Sequence, residues 1–191
     1  MTAPEPDALD IGLELAGVLE ERGIPYALGG ALALGVWGIP RGTHDVDVNV
    51  FVSDAELPTL LEALRDLGIE IDEDAARMAS RERGLIVVRH RGMRVDLFTP
   101  SIDFSWEAER TRKRHTVEGR GVWFLSAEAL AVFKLLFFRA KDLVDLERLI
   151  AVQGSRFDAA YVRRHLVEMM GDDDPRVVRL DELVSRYVEP P

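Results

Sequence analysis

Two hydrophobic rhythms, one helical and one strand-like, alternate along the first part of the chain, and the helical one takes over after residue 125. Residues 1–6 read as a loose tail. Ile11, Leu13, Leu15, Val18 and Leu19 recur near helical spacing, which predicts an amphipathic helix over 7–22 that ends at Gly23. Residues 24–28 form a short apolar run, expected to be a buried strand. A short apolar helix over 31–37 should break at Gly38 and Pro40, and from Asp45 the order Asp45-Val46-Asp47-Val48 alternates as a strand does. Ser53-Asp54-Ala55-Glu56 has the form of a capping box with Ser53 as N-cap. Leu57, Leu60, Leu61, Leu64 and Leu67 then carry a helix to Gly68.

Residues 69–71 read as a strand end and 72–84 as polar helix and loop. Two strands, 85–89 and 93–98, are expected to join at His90-Arg91-Gly92, and a helix over 104–114 to follow. Residues 115–118 and 122–125 form a second expected hairpin around Gly119-Arg120-Gly121. The remaining pattern predicts helices over 126–140, 142–152 (capped by Asp142), 158–170 and 175–188. The fold class is therefore α+β: a mixed sheet flanked by helices in 1–125, with the N-terminal helix, and a helical C-terminal part in 126–191 packed on it.

Composition narrows the function. With 47% hydrophobic and 30% charged residues over 191 positions, the profile is that of an ordinary globular chain with room for a real core. No apolar run is long enough to span a bilayer, so no membrane association is expected. The first ten residues are acidic and proline-rich, unlike a signal or transit peptide. The absence of cysteine excludes disulfides, zinc–thiolate sites and a cysteine nucleophile, and fits a cytoplasmic location. The net charge of −10 opposes non-specific nucleic-acid binding by the whole surface. Residues 81–141, however, hold 13 Lys and Arg against 7 Asp and Glu, a local +6 that leaves −16 elsewhere. Such a segment suits either a patch for a polyanion or a merely solvated face.

The candidate chemistry lies in three places. In a strand rising about 3.3 Å per residue, Asp45 and Asp47 share one face about 6.6 Å apart, while Val46, Val48 and Val50 face a core. Two such carboxylates can converge on hard divalent cations such as Mg²⁺. The same D-x-D spacing at Asp72/Asp74 and Asp172/Asp174 lies outside any alternating strand and shows how readily an acidic chain produces it. Asp96, inside the strand Met93–Phe98, is a third candidate ligand and a candidate general base; its alternative role is an ion pair with Arg94 or Arg89.

Gly29-Gly30, between strand and helix, lets a phosphate approach the N–H groups of a helix start, though neither a Walker A loop nor G-x-G-x-x-G is present. Lys134 is ringed by Leu130, Ala131, Phe137 and Phe138, so it either snorkels to solvent or faces an anion such as a triphosphate, with Arg139 and Lys141 nearby in sequence. No histidine pair has metal-ligand spacing, and no G-x-S-x-G elbow supports a hydrolase triad.

In order, Gly29-Gly30, Asp45-x-Asp47 and Asp96 resemble the nucleotidyltransferase superfamily with the DNA polymerase β-type fold. Arg41-x-Thr43-x-Asp45-x-Asp47 resembles its stand-alone bacterial members, including the AbiEii/MenT-type toxins, and Lys134, Arg139, Lys141-Asp142 and Asp145-Leu146 resemble that group's later Lys and Asp motifs. The resemblance covers roughly residues 24–150. It implies a nucleotidyltransferase-type mixed sheet, two Mg²⁺ ions held by Asp45, Asp47 and Asp96, and transfer of a nucleoside monophosphate from an NTP to an acceptor hydroxyl with release of pyrophosphate. It also implies a nucleotide site of Gly29, Gly30, Arg41, Thr43, Lys134 and Arg139. The acceptor is left open among tRNA, a protein side chain and a small molecule such as an antibiotic. A catalytically idle module, one half of a toxin–antitoxin pair, is the alternative, and an antitoxin protein is a candidate partner. Many relatives carry Gly-Ser where this chain has Gly29-Gly30, so a hydroxyl contact to phosphate is missing.

Overall fold

Valine alternation in β2 (Asp45–Val50) sets the core of a six-stranded mixed sheet, because Val46, Val48 and Val50 are all fully buried on one face. The other strands are β1 (Tyr26–Leu28), β3 (Leu85–His90), β4 (Met93–Phe98), β5 (Lys113–Val117) and β6 (Arg120–Phe124), in the order β3-β4-β2-β1-β6-β5. The computed structural model describes residues 6–188, so the tail expected over 1–6 lies outside the described residues apart from Pro6. β2 pairs parallel with β4 and antiparallel with β1; β1 and β6 meet in parallel; β3–β4 and β5–β6 are antiparallel hairpins. Register places Tyr26, Leu28, Val95 and Leu97 on the buried face with the β2 valines.

α1 (Ala8–Glu21) begins at Asp7, whose side chain accepts from Leu9 and Asp10 N–H, and packs its Ile11, Leu15 and Leu19 stripe on that face. His90, buried, is held to Glu14 of α1 at 2.7 Å, an ordinary polar role. α2 (Gly30–Trp37), α3 (Leu57–Asp66), α4 (Glu73–Arg83) and α5 (Phe104–Thr111) complete this part of the chain. α6 (Ala127–Phe137), α7 (Ala140–Gln153), α8 (Ala159–Met170) and α9 (Pro175–Tyr187) follow.

Several expected boundaries move, each for a local reason. Ser53 and Glu56 do bond, Ser53 N–H to Glu56 Oε2 at 2.8 Å, but they close a turn; α3 starts at Leu57. Pro58 has no N–H to give back to Asp54, so the helical ladder cannot extend through that turn. Residues 69–71 form no strand, and Asp72 instead caps α4 by accepting from Ala75 N–H at 3.0 Å. α5 stops at Thr111, because Lys113 and Arg114 pair with Phe124 and Trp123 as the start of β5. The two hairpins turn on Arg91-Gly92 and Glu118-Gly119, with φ of 49° and 86°, and 50° and 78°, the double positive φ of a type I′ turn. His90 and Arg120 therefore belong to strands. Asp142 is not the cap of α7: Arg139 is, and Asp142 at the third helical position accepts the Arg139 N–H at 3.3 Å.

The described residues divide into two compact units, 6–32 with 42–124, and 33–41 with 125–188. Ala33–Arg41 thus goes with the helices, although its pattern reads as part of the α/β region. Within the second unit, Trp37 Nε1 donates to Leu125 O at 2.6 Å, and a Cβ at Gly38 would stand 3.3 Å from Leu149 Cα. Leu146, Leu149, Ile150, Val162, Leu166, Val177, Leu180 and Leu183 are fully buried there. Each such side chain contributes about 1.5–3 kcal/mol relative to exposure. Among the described residues no helix is long and apolar enough to cross a membrane.

Candidate active site

The face of the sheet opposite the valines carries the acidic residues. β2 and β4 run parallel with Asp45 beside Arg94, Asp47 beside Asp96 and Asn49 beside Phe98. Partnered residues on neighbouring strands point the same way at about 4.8 Å spacing. Asp45, Asp47 and Asp96 therefore form a triangle on one face, and the two last are in register. Asp45 and Asp47 are half-buried and Asp96 is buried.

The glycine pair closes over this triangle. Gly29 N–H donates to Asp47 O at 2.8 Å, continuing the β1–β2 ladder, so that N–H is not open to phosphate. Gly30, with φ of +49°, starts α2; a Cβ there would fall 1.7 Å from Asp47 Oδ2. Only glycine fits, because the backbone must pass against the Asp47 carboxylate in a left-handed conformation. The amides on offer at this helix start are those of its first turn, beginning at Gly30.

Side chains around the aspartates are engaged. Thr43 Oγ1 donates to Asp45 Oδ1 and stands 3.3 Å from Asp45 O. Arg94 donates to both oxygens of Asp96, Nε to Oδ1 at 2.7 Å and Nη2 to Oδ2 at 3.1 Å. The ion-pair alternative for Asp96 is thus present in the structure. Hydrogen bonding to Asp96 and its charge, then the charges of Asp45 and Asp47, push the Arg94 guanidinium above arginine's ordinary range. Among the described residues no three His, Asp or Glu side chains converge closely enough to hold a metal ion as they stand, since Asp96 is turned to Arg94 and Asp45 to Thr43. The donor set still fits a hard divalent cation in its chemistry, because all three groups offer carboxylate oxygens from one sheet face.

The second unit holds its own charge cluster. Lys134 is 4% exposed, and its Nζ stands 2.7 Å from Asp145 Oδ2 and 3.8 Å from Asp142 Oδ1. It does not snorkel, and the anions it faces here are the chain's own Asp145 and Asp142. Arg41 donates to Asp145 through Nε and Nη2 at 3.0 Å each. Arg139 donates to Asp142 through Nε at 2.6 Å and Nη2 at 3.2 Å. Burial pushes the Asp145 carboxyl up, but the bonds from Arg41 and Lys134 more than offset this and hold it below the ordinary range. The ordered string Arg41–Asp145–Lys134–Asp142–Arg139 alternates in sign and keeps one net positive charge. The buried role of Asp145 escaped sequence reasoning; its signals were the Asp145-Leu146 motif and a lysine surrounded by apolar residues, which needs a buried counter-ion.

Residues 15–189 match the model of the nucleotidyl transferase AbiEii toxin family, of type IV toxin–antitoxin systems. The chain belongs to the AbiEii nucleotidyltransferase toxin family. Its class of activity is nucleotidyl transfer, the NMP-transfer chemistry of that family, and its setting is a toxin–antitoxin system. No curated protein matches. Among solved structures, the antibiotic-resistance factor ANT(2'')-Ia is similar at 16% identity and a TM-score of 0.61, over 86% of this chain and 97% of that one. The lincosamide antibiotic adenylyltransferase LnuA, lincomycin-bound, is 17% identical with a TM-score of 0.50, over 76% and 96%. An antigenic nucleotidyltransferase-like protein from Paracoccidioides brasiliensis is 19% identical with a TM-score of 0.50, over 91% and 93%. These likenesses establish the shared fold of this AbiEii-family chain, a mixed sheet with flanking and C-terminal helices.

Proposed function

We propose that this AbiEii-family chain moves a nucleoside monophosphate from a Mg²⁺-bound NTP to an acceptor hydroxyl and releases pyrophosphate. The observation that carries the reading is the triangle of Asp45, Asp47 and Asp96, two of them in register, with Gly30 pressed against Asp47. Asp45, Asp47 and Asp96 hold the divalent cations, two in the family pattern. Bound there, the ions supply charge stabilisation for the transferring phosphoryl group and its leaving pyrophosphate. Asp96 also accepts the proton of the attacking hydroxyl. Thr43 orients Asp45 through its hydroxyl. First-turn amides of α2 offer hydrogen bonds to phosphate oxygens. Lys134, Arg41 and Arg139 are proposed as phosphate ligands on the charge each carries, beyond the carboxylates that they already meet. Cytoplasmic location, ATP as a donor and an antitoxin protein as partner belong to the same reading.

The basic stretch 81–141 favours tRNA as acceptor. A small cationic acceptor is the second reading, favoured by the net charge of −10. Incubation with Mg²⁺ and each labelled NTP, in parallel with total tRNA, an aminoglycoside or a lincosamide, separates them. Transfer to one acceptor, lost in Asp45→Asn and kept in Asp72→Asn, is the expected result. Absence of transfer to any acceptor, with no NTP-dependent rise in melting temperature, would sink the reading.

A further inference from the structure

The three aspartates share their sheet face with a cation. Across the β2–β4 pair, Arg94 stands directly beside Asp45, two positions along the register from Asp47 and Asp96 and on the same face. Its planar fork covers both oxygens of Asp96, at 2.7 and 3.1 Å, leaving neither in its preferred direction for another cation. The Asp96 side chain is 11% exposed and that of Arg94 49% exposed, so the carboxylate is fixed within the protein while the guanidinium has room to leave. Across the β3–β4 pair, Arg89 stands opposite Arg94. Like charges so placed repel; Asp96 offsets this by neutralising one of them, and Arg89 turns away to Gly92 O at 3.1 Å.

We propose that Arg94 is a built-in counter-ion for the three-aspartate face, which a divalent cation must displace from Asp96 in order to bind there. This rests on the metal-binding reading of Asp45, Asp47 and Asp96 given above. Three carboxylates on one face repel one another, and a guanidinium at their edge relieves that repulsion whenever no metal is bound. Arginine cannot shed its charge by losing a proton. It therefore has to swing off Asp96 or remain as a second cation beside the metal, and either course lowers metal affinity. Metal arrival is thereby coupled to release of a guanidinium beside Arg89, on an exposed part of the sheet.

Calorimetric titration of the full chain with Mg²⁺ alone, and with Mn²⁺ alone, tests this in wild type, Arg94→Gln, Arg94→Lys and Asp45→Asn, without NTP or turnover. Arg94→Gln should bind metal roughly three- to tenfold more tightly, as expected for removing one partly screened charge at this range. Arg94→Lys, which keeps the charge without the fork, should fall between the two. In melting curves, Arg94→Gln should lose stability without metal and gain more from Mg²⁺ than wild type does. Equal affinity in wild type and Arg94→Gln, where Asp45→Asn has lost binding, overturns the proposal and leaves the metal reading intact. No metal binding by either wild type or Arg94→Gln overturns both.

Discussion

Gly30 and Asp145 are two positions at which a single side chain decides the state of its neighbours. A methyl group at Gly30 meets Asp47 Oδ2 at 1.7 Å and must also adopt a φ of +49°. Gly30→Ala should cost about 1–2 kcal/mol from the backbone alone, and should displace Asp47 as well. Chemical denaturation together with Mg²⁺ titration checks both: stability falls and metal binding weakens, whereas Gly42→Ala, at a position where a Cβ meets nothing within 4 Å, changes neither. Asp145 neutralises two cations in a setting where its own side chain is 2% exposed. Asp145→Asn leaves Lys134 buried beside a neutral amide, and should lower stability by about 3–5 kcal/mol, the cost of breaking a buried pair. Urea unfolding monitored through tryptophan fluorescence measures it, and Lys134→Met with Asp145→Asn should recover part of the loss.

At the scale of elements, caps and turns explain most of the departures from simple periodicity. The acidic pairs that imitate Asp45-x-Asp47 turn out to serve helix starts: Asp72 caps α4, and Asp174 caps α9 by accepting from Arg176 N–H at 2.9 Å. Asp172 pairs with Arg163 at 2.6 Å. The same spacing performs different work because α4 and α9 follow from it, whereas β2 runs through it. The hairpin β5–β6 carries Glu118 at φ of 50°, a conformation that asparagine adopts more readily. Glu118→Asn should stabilise the chain by roughly 0.5 kcal/mol, read as a raised urea midpoint at constant slope. Legibility followed the same division. Helix and strand identity could be read from α1 and β2 because each buries an apolar face with its own period. The ends could not, since they depend on single hydrogen bonds such as Asp142 to Arg139 N–H.

For the whole molecule, paired carboxylates decide the response to acid. Asp145, Glu147 and Asp174 in the second unit, and Glu14 in the first, are held below their ordinary range by the cations and donors that they meet. A carboxylate with a depressed folded pKa contributes stability that is complete above its unfolded pKa, about 3.9–4.3, and is lost as pH falls through the lower folded value. The melting temperature should therefore be flat from neutrality to about pH 5 and fall steeply below about pH 4. Asp145→Asn should shrink that acid-dependent fall, because one of the groups that must be protonated is gone.

Residue order was enough for the α+β class, the aspartates at 45 and 47 on one face, a third aspartate within another strand and the family resemblance. These depend on local period and on residue order, which a chain carries without folding. Tertiary structure decided what those residues touch. The parallel register of β2 on β4 put Asp96 beside Asp47 and Arg94 beside Asp45, since strand pairing is a long-range choice that no local pattern encodes. It turned Gly29 into a ladder donor and Gly30 into a close-contact position. It also gave Lys134 a counter-ion eleven residues away, because a buried ammonium must be neutralised by whichever carboxylate the packing brings to it.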